Sequence, residues 1–147
     1  MTSTSSLMSP KRLNAALAVL RGIVGVILLA HGAQKLFVYG FGGVTGAFTQ
    51  MGVPLPELTG PLVALVEFSG GLALIAGLYT RLAALGLAIT MLGAILLVHL
   101  PAGFFAPNGV EFVLALFGGA VALALTGAGD WSLDRMRSKR RAVAAGV

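Results

Sequence analysis

The chain has 147 residues, 57% hydrophobic and only 10% charged, with a mean hydropathy of +0.95. Soluble domains carry about 25% charged residues, so an ordinary soluble fold is excluded and the helical membrane class is indicated; a β-barrel would alternate apolar and polar residues, which these runs do not. The net charge is +5, and there is no cysteine, which excludes disulfides, thiolate metal sites and cysteine-based electron transfer; any redox chemistry needs a bound cofactor or a partner.

Four apolar stretches follow one another: Leu13–Phe37, Gly60–Leu78, Leu82–Leu100 and Val110–Thr126. Each is expected to be long enough to cross a hydrocarbon core of about 30 Å at 1.5 Å per residue. The expected fold is therefore all-α, an integral membrane four-helix bundle over residues 13–133, with a tail at 1–12 and a basic tail at 134–147. Both tails are expected to be mobile. In the first stretch Arg21 interrupts the apolar run, which also exceeds the h-region of a signal peptide, so cleavage is not expected. Ser9-Pro10 precedes the helix and Asn14 is a possible cap. At 100° per residue Arg21, Leu28 and Lys35 lie almost in line, with His31 within about 80° of Arg21.

Phe37–Leu58 reads as a long connection rich in Gly and aromatic residues, with a short surface helix over Val44–Met51 stopped by Gly52 and Pro54. It is expected to form either a lid over the bundle or an interfacial anchor. Thr59-Gly60-Pro61 looks like the start of the second helix. Small residues at Gly60, Ala64, Gly70, Gly71, Ala73 and Gly77 allow close helix approach. Leu78–Arg81 is a turn too short for anything but antiparallel neighbours. The third stretch ends at His99-Leu100-Pro101, and Asn108 and Glu111 have capping-box spacing at the fourth.

Eight cations (Lys11, Arg12, Arg81, Arg135, Arg137, Lys139, Arg140 and Arg141) fall on one side if the chain crosses four times. The positive-inside rule makes that side cytoplasmic, giving N-in/C-in topology with Phe37–Leu58 external. The basic tail is then expected to meet anionic lipid headgroups, not nucleic acid. A weak internal repeat pairs Leu28–His31 with Leu96–His99 and Val66–Phe68 with Val110–Phe112.

Six ionisable residues inside or at the ends of the stretches are the candidate binding residues: Arg21, His31, Lys35, Glu67, His99 and Glu111. A charge at mid-bilayer costs at least about 2.5–3.5 kcal/mol on the insertion scale, so such residues face inward, pair, and mark sites. Glu67 lies about 10 Å along its helix by the rise per residue, too deep for a cap. Its expected partner is Arg21 or His31, as a structural ion pair or as a proton relay; Glu67 and His31 are the candidate catalytic residues. Lys35 can simply snorkel outward, His99 can be interfacial, and Glu111 can be a cap. Two His and two Glu without close spacing make a weak metal signal, and no metal is expected. His31, Glu67, His99 and Glu111 are expected to line one pocket in the outer half of the bundle.

His31-Gly32-Ala33-Gln34-Lys35-Leu36-Phe37, Phe41-Gly42-Gly43 and Gly52-Val53-Pro54 resemble the first half of the DoxX family. Glu67-Phe68-Ser69-Gly70-Gly71 and Gly77-Leu78-Tyr79-Thr80-Arg81 resemble its second helix and turn; His99, Gly103-Phe104-Phe105, Glu111 and Trp131-Ser132-Leu133-Asp134 are similar to its second half. The resemblance runs from Arg21 to Asp134. It implies a small four-helix protein of the bacterial inner membrane, in a family whose members are usually described as oxidoreductases and are linked to thiosulfate:quinone oxidoreduction and to thiol, quinone or catechol stress. It carries over no catalytic residue. With no G-x-G-x-x-G fingerprint, the chain is expected to be a quinone-linked component rather than a complete redox enzyme. A quinone is then the expected cofactor. A redox partner protein, a second copy of the chain and the lipid bilayer are the expected partners. A transporter of small solutes or protons, and an assembly or anchoring subunit without chemistry, are the alternatives.

Overall fold

Ser9 starts the first helix with its hydroxyl accepting from Arg12 N at 3.4 Å, and Pro10 occupies the first turn, where its missing N–H costs nothing. The computed structural model describes residues 9–146, so the expected mobility of residues 1–8 and 147 lies outside the described residues. Helix α1 runs Pro10–Ala33 and widens into a π-helical segment, Gln34–Tyr39. Gly40, at φ +66° and ψ 170°, breaks the axis. Helix α2 (Gly40–Gln50) then packs on α3 (Pro56–Ala76). Helix α4 (Thr80–Ala94) also ends in a π-helical segment, Ile95–His99, followed by a 3-10 turn, Leu100–Ala102. Helix α5 runs Glu111–Thr126 and α6 runs Leu133–Ala144. The described residues contain no strand.

Three boundaries differ from the sequence reading. The connection expected from Phe37 is helical to Gln50 apart from the break at Gly40, because its aromatic and Val residues bury Val44 against Gly60 of α3. Helix α3 begins at Pro56, leaving Pro61 inside it. Pro61 has no N–H for the carbonyl of Glu57, a loss tolerated this close to the helix start. The basic tail is not loose chain but helix α6, capped by Ser132, whose hydroxyl accepts from Arg135 N at 3.2 Å.

Helix α1 packs on α3, α3 on α4, α4 on α5, and α5 returns to α1. The core where they meet is built from Val24, Leu28, Leu74, Leu87, Met91, Leu116 and Leu123. The α1–α3 seam is backbone against backbone. A Cβ on Gly32 would stand 2.3 Å from Phe68 N, and one on Gly71 would stand 2.4 Å from Leu29 N. Only glycine fits there, and it brings α1 close enough for side chains to meet across the seam.

Among the described residues three helical runs are long and apolar enough to cross a bilayer: Pro10–Gln50, Pro56–Ala76 and Thr80–Ala102. Helix α5 is apolar but has 16 residues, short of the roughly 20 that a crossing usually uses. Leu, Ile, Val and Phe side chains are exposed all along the outside of these helices, as lipid contact requires. Lys11 and Arg12, Arg81, and the cations of α6 all lie at one end, where Asn14 meets Asp130 and Tyr79 meets Asp134. We call this the basic end. The opposite, aromatic end holds both π-helical segments, α2 and the loop before α5, with Phe37, Tyr39, Phe41, Phe104 and Phe105 exposed.

Candidate functional site

The line of Arg21, Leu28 and Lys35 does face inward, but its two charges serve opposite ends. Arg21 is 6% exposed and donates through Nη1 to Ala128 O at 3.1 Å and through Nη2 to Trp131 O at 2.6 Å. Its guanidinium lies against Gly77, where a Cβ would come within 2.1 Å of Nη1. Gly77, at φ +66°, thus ends α3 and makes room for the guanidinium. Arg21 therefore does not pair with Glu67. The carbonyls that follow α5 take up its two terminal nitrogens instead, while its buried Nε has no hydrogen-bond partner among the described residues; the sequence reading missed these carbonyls because backbone acceptors leave no residue signature.

Glu67 is 4% exposed, and its Oε2 pairs with Nζ of Lys35 across the α1–α3 seam. Lys35 does not simply snorkel: its side chain is only 19% exposed, against 5% for Glu67. Lys35 sits in the π-helical segment, and such segments are rare and frequent at functional sites. Phe37, from the same segment, stands edge-on to Phe68 of α3 with ring centroids 5.6 Å apart. The result is a buried ammonium–carboxylate pair, with the next aromatic residue along each helix, Phe37 and Phe68, meeting its counterpart across the same seam and Phe37 itself 74% exposed.

The other three candidates have partners elsewhere. His31 is exposed, with its ring 6.3 Å from that of Phe112 of α5. His99 uses Nδ1 against Asn108 O at 2.8 Å. Glu111 accepts from Ala106 N at 2.6 Å, so it braces the preceding loop rather than forming the expected capping box; Val110 is the cap residue and makes no side-chain bond. Among the described residues no hydrogen bond joins His31, His99 or Glu111 to Glu67, and no three His, Asp or Glu side chains gather as a metal site. The structure thus places all four at the aromatic end but brings only Glu67 into an ion pair, with Lys35.

Long apolar helices with lipid-facing side chains and a buried charge pair define a small multi-pass membrane protein. The DoxX family model matches residues 16–100, from α1 through the π-helical end of α4, and the chain belongs to the DoxX family. It is 36% identical to the uncharacterized membrane protein Rv3486 of Mycobacterium tuberculosis, over 82% of this chain and 80% of that protein. It is 34% identical to a protein of Bacillus subtilis named "Putative oxidoreductase CatD", over 79% and 82%. It is 36% identical to the inner membrane protein YqjF of Escherichia coli, over 83% and 92%. No solved structure matches the chain. It is a multi-pass protein of the inner membrane, in contact with the lipid bilayer.

Proposed function

We propose that the chain is the membrane component of a quinone-linked oxidoreductase system, with the quinone headgroup held at the Lys35–Glu67 pair. The buried ion pair beside Phe37 and Phe68 carries this reading. A headgroup needs an apolar slot, a hydrogen-bond donor for a carbonyl oxygen and a group that passes protons. In this reading Phe37 and Phe68 offer the headgroup apolar ring surface, the Lys35 ammonium donates, and the Glu67 carboxylate holds and delivers a proton. A bound quinone supplies an acceptor for two electrons and two protons. The electrons come from a reduced redox partner protein, since the chain has no cysteine of its own. The name of the Bacillus subtilis relative supports oxidoreduction. Helix α5 makes the fourth crossing, so the basic end is cytoplasmic and the aromatic end external; a second copy can share the bilayer without contributing to the pair.

The test is decylubiquinone binding to the purified chain in nanodiscs. Saturable binding is expected for the wild type and is lost in Glu67→Gln. Equal binding by the two proteins refutes the headgroup site, and solute flux through liposomes that Glu67→Gln abolishes would establish the transporter instead. Cysteine labelling at Ser138 in intact cells checks the topology: reaction from outside overturns it.

A further inference from the structure

The basic end carries a site of its own. Two clefts, of about 240 and about 450 Å³, flank the αL residue Tyr79 and share it and Asp134 as walls. Arg81, Leu82 and Thr126 line the larger cleft, and Arg137 and Arg141 of α6 line the smaller. The one anion in both walls is already compensated. The Asp134 carboxylate accepts from Tyr79 N at 2.7 Å and from Thr80 N at 2.9 Å, so it is taken up in capping α4. Arg137 is held in place, its guanidinium 4.5 Å above the Tyr79 ring and its Nη2 2.9 Å from the Tyr79 hydroxyl. Arg81 lies over Gly127, where a Cβ would come within 3.2 Å of its Nε. Thr80, at the floor of the larger cleft, is wholly buried, and its hydroxyl has no hydrogen-bond partner among the described residues. Three arginines line two adjacent clefts that share Asp134, the one carboxylate among their described lining residues, and that carboxylate is occupied.

We infer that these clefts bind the headgroup phosphate of an anionic phospholipid, with Arg81 on one side of Tyr79 and Arg137 and Arg141 on the other. Guanidinium forks match phosphate oxygens in number and plane. The clefts open beside apolar wall, which favours a lipid over a soluble phosphate. Leu82, in the wall of the larger cleft, is 70% exposed, and Leu125, next to its lining residue Thr126, is 75% exposed. Both stand on helices that face the bilayer, where acyl chains can cover them while the phosphate stays with the arginines. Basic clefts between membrane helices near the headgroup level bind anionic lipids by this division of labour. The site is stricter than a general attraction of the basic helix to the membrane, because Lys139 and Arg140 of the same helix line neither cleft.

The full chain, purified in neutral detergent, is titrated with dioleoylphosphatidylglycerol or dioleoylphosphatidylcholine, and retained lipid is read by native mass spectrometry. Phosphatidylglycerol is expected to be retained over phosphatidylcholine. Arg81→Gln and Arg141→Gln are each expected to weaken retention about fivefold, the worth of one arginine near an anionic surface. The double variant Lys139→Gln/Arg140→Gln is expected to bind as the wild type does. Arg141 stands on the exposed face of α6, so its variant carries the test if Arg81→Gln fails to fold. Equal retention of the two lipids overturns the inference. So does a loss in the Lys139/Arg140 variant as large as that in Arg81→Gln, which would mean diffuse attraction only. Displacement by glycerol 3-phosphate as effective as by dihexanoylphosphatidylglycerol would overturn the lipid and identify a soluble phosphate ester instead.

Discussion

The two ends of the bundle use charge in opposite ways. At the basic end the buried or semi-buried polar groups described above, the Thr80 hydroxyl and Arg21 Nε apart, are tied to backbone or to a partner remote in sequence. Arg21 bonds the Ala128 and Trp131 carbonyls, Asn14 exchanges two hydrogen bonds with Asp130, and Asp134 caps α4 while its own N–H reaches Gly77 O. These bonds draw the segment after α5 across the starts of α1 and α4. Among the described residues the aromatic end has one long-range side-chain hydrogen bond, Lys35–Glu67, and two π-helical segments whose hydrogen bonding departs from the α ladder. The first end reads as a clasp and the second as a place where a charge pair is held without being locked into the fold. The comparison predicts that the largest loss of stability follows substitution at the basic end and that loss of function follows substitution at the aromatic end.

The largest stability effect is expected from Arg21→Ala. It deletes two charge-assisted bonds and strands two carbonyls, at a cost of about 3–5 kcal/mol. Thermal unfolding in detergent should show it as the lowest midpoint of any single variant named in this Discussion; a midpoint near wild type would dissolve the distinction between the ends. Next is Lys35→Met, which leaves the Glu67 carboxylate alone in its apolar seam. The expected loss is about 3 kcal/mol, the cost of leaving one member of a buried pair without its partner. The double variant Lys35→Met/Glu67→Leu should recover most of that loss, since replacing a buried pair with apolar groups is often neutral; a double variant no more stable than Lys35→Met would show that the pair holds α1 to α3. Asp134→Ala should cost about 1–2 kcal/mol through the lost cap of α4. It also frees Tyr79, at φ +49°, from the bond that holds its left-handed conformation. Faster amide exchange confined to Tyr79–Leu82 is the readout.

Much of this contrast was legible in the sequence, and the part that was not has a physical reason. The apolar runs, the inward face of α1 and the burial of Glu67 follow from hydropathy and from the cost of charge in lipid, which act residue by residue. The partner of Glu67 did not follow. Helix phase alone puts Arg21 and Lys35 on the same line, and only the level at which Gly32 and Gly71 seat α1 on α3 decides that Lys35 arrives opposite Glu67. Gly32 and Gly25 of α1 were the available signal, complementary to the small residues of α3. The tail was misread for a different reason. The sequence Ser132-Leu133-Asp134-Arg135 carries a helix start, but the charge run after it looks solvated, and the bonds from Asp134 to Tyr79 and Thr80 span more than fifty residues. Helix α2 was read only from Val44, because the glycines at 40, 42 and 43 argue against helix, whereas packing on α3 sustains it.

Glu67→Gln should have the smallest effect on stability and the most informative one. The variant keeps the shape of the side chain and an oxygen that accepts from Lys35 Nζ, and it removes the carboxylate charge. Lys35 is left as a cation, but with its side chain 19% exposed and four methylenes long it can lift its ammonium toward the headgroup region at little cost. The expected loss is about 1 kcal/mol or less, well below that of Lys35→Met, because the stranded partner differs: a buried carboxylate has nowhere to go, whereas a lysine at the seam's edge does. The two variants together therefore read the direction in which the pair is buried. Nearly unchanged unfolding in Glu67→Gln with lost quinone binding is the signature of a working pair. Equal destabilisation by the two variants would make Lys35–Glu67 a fastening like Arg21 at the other end, and the contrast between the ends would fail at the residue on which it most depends.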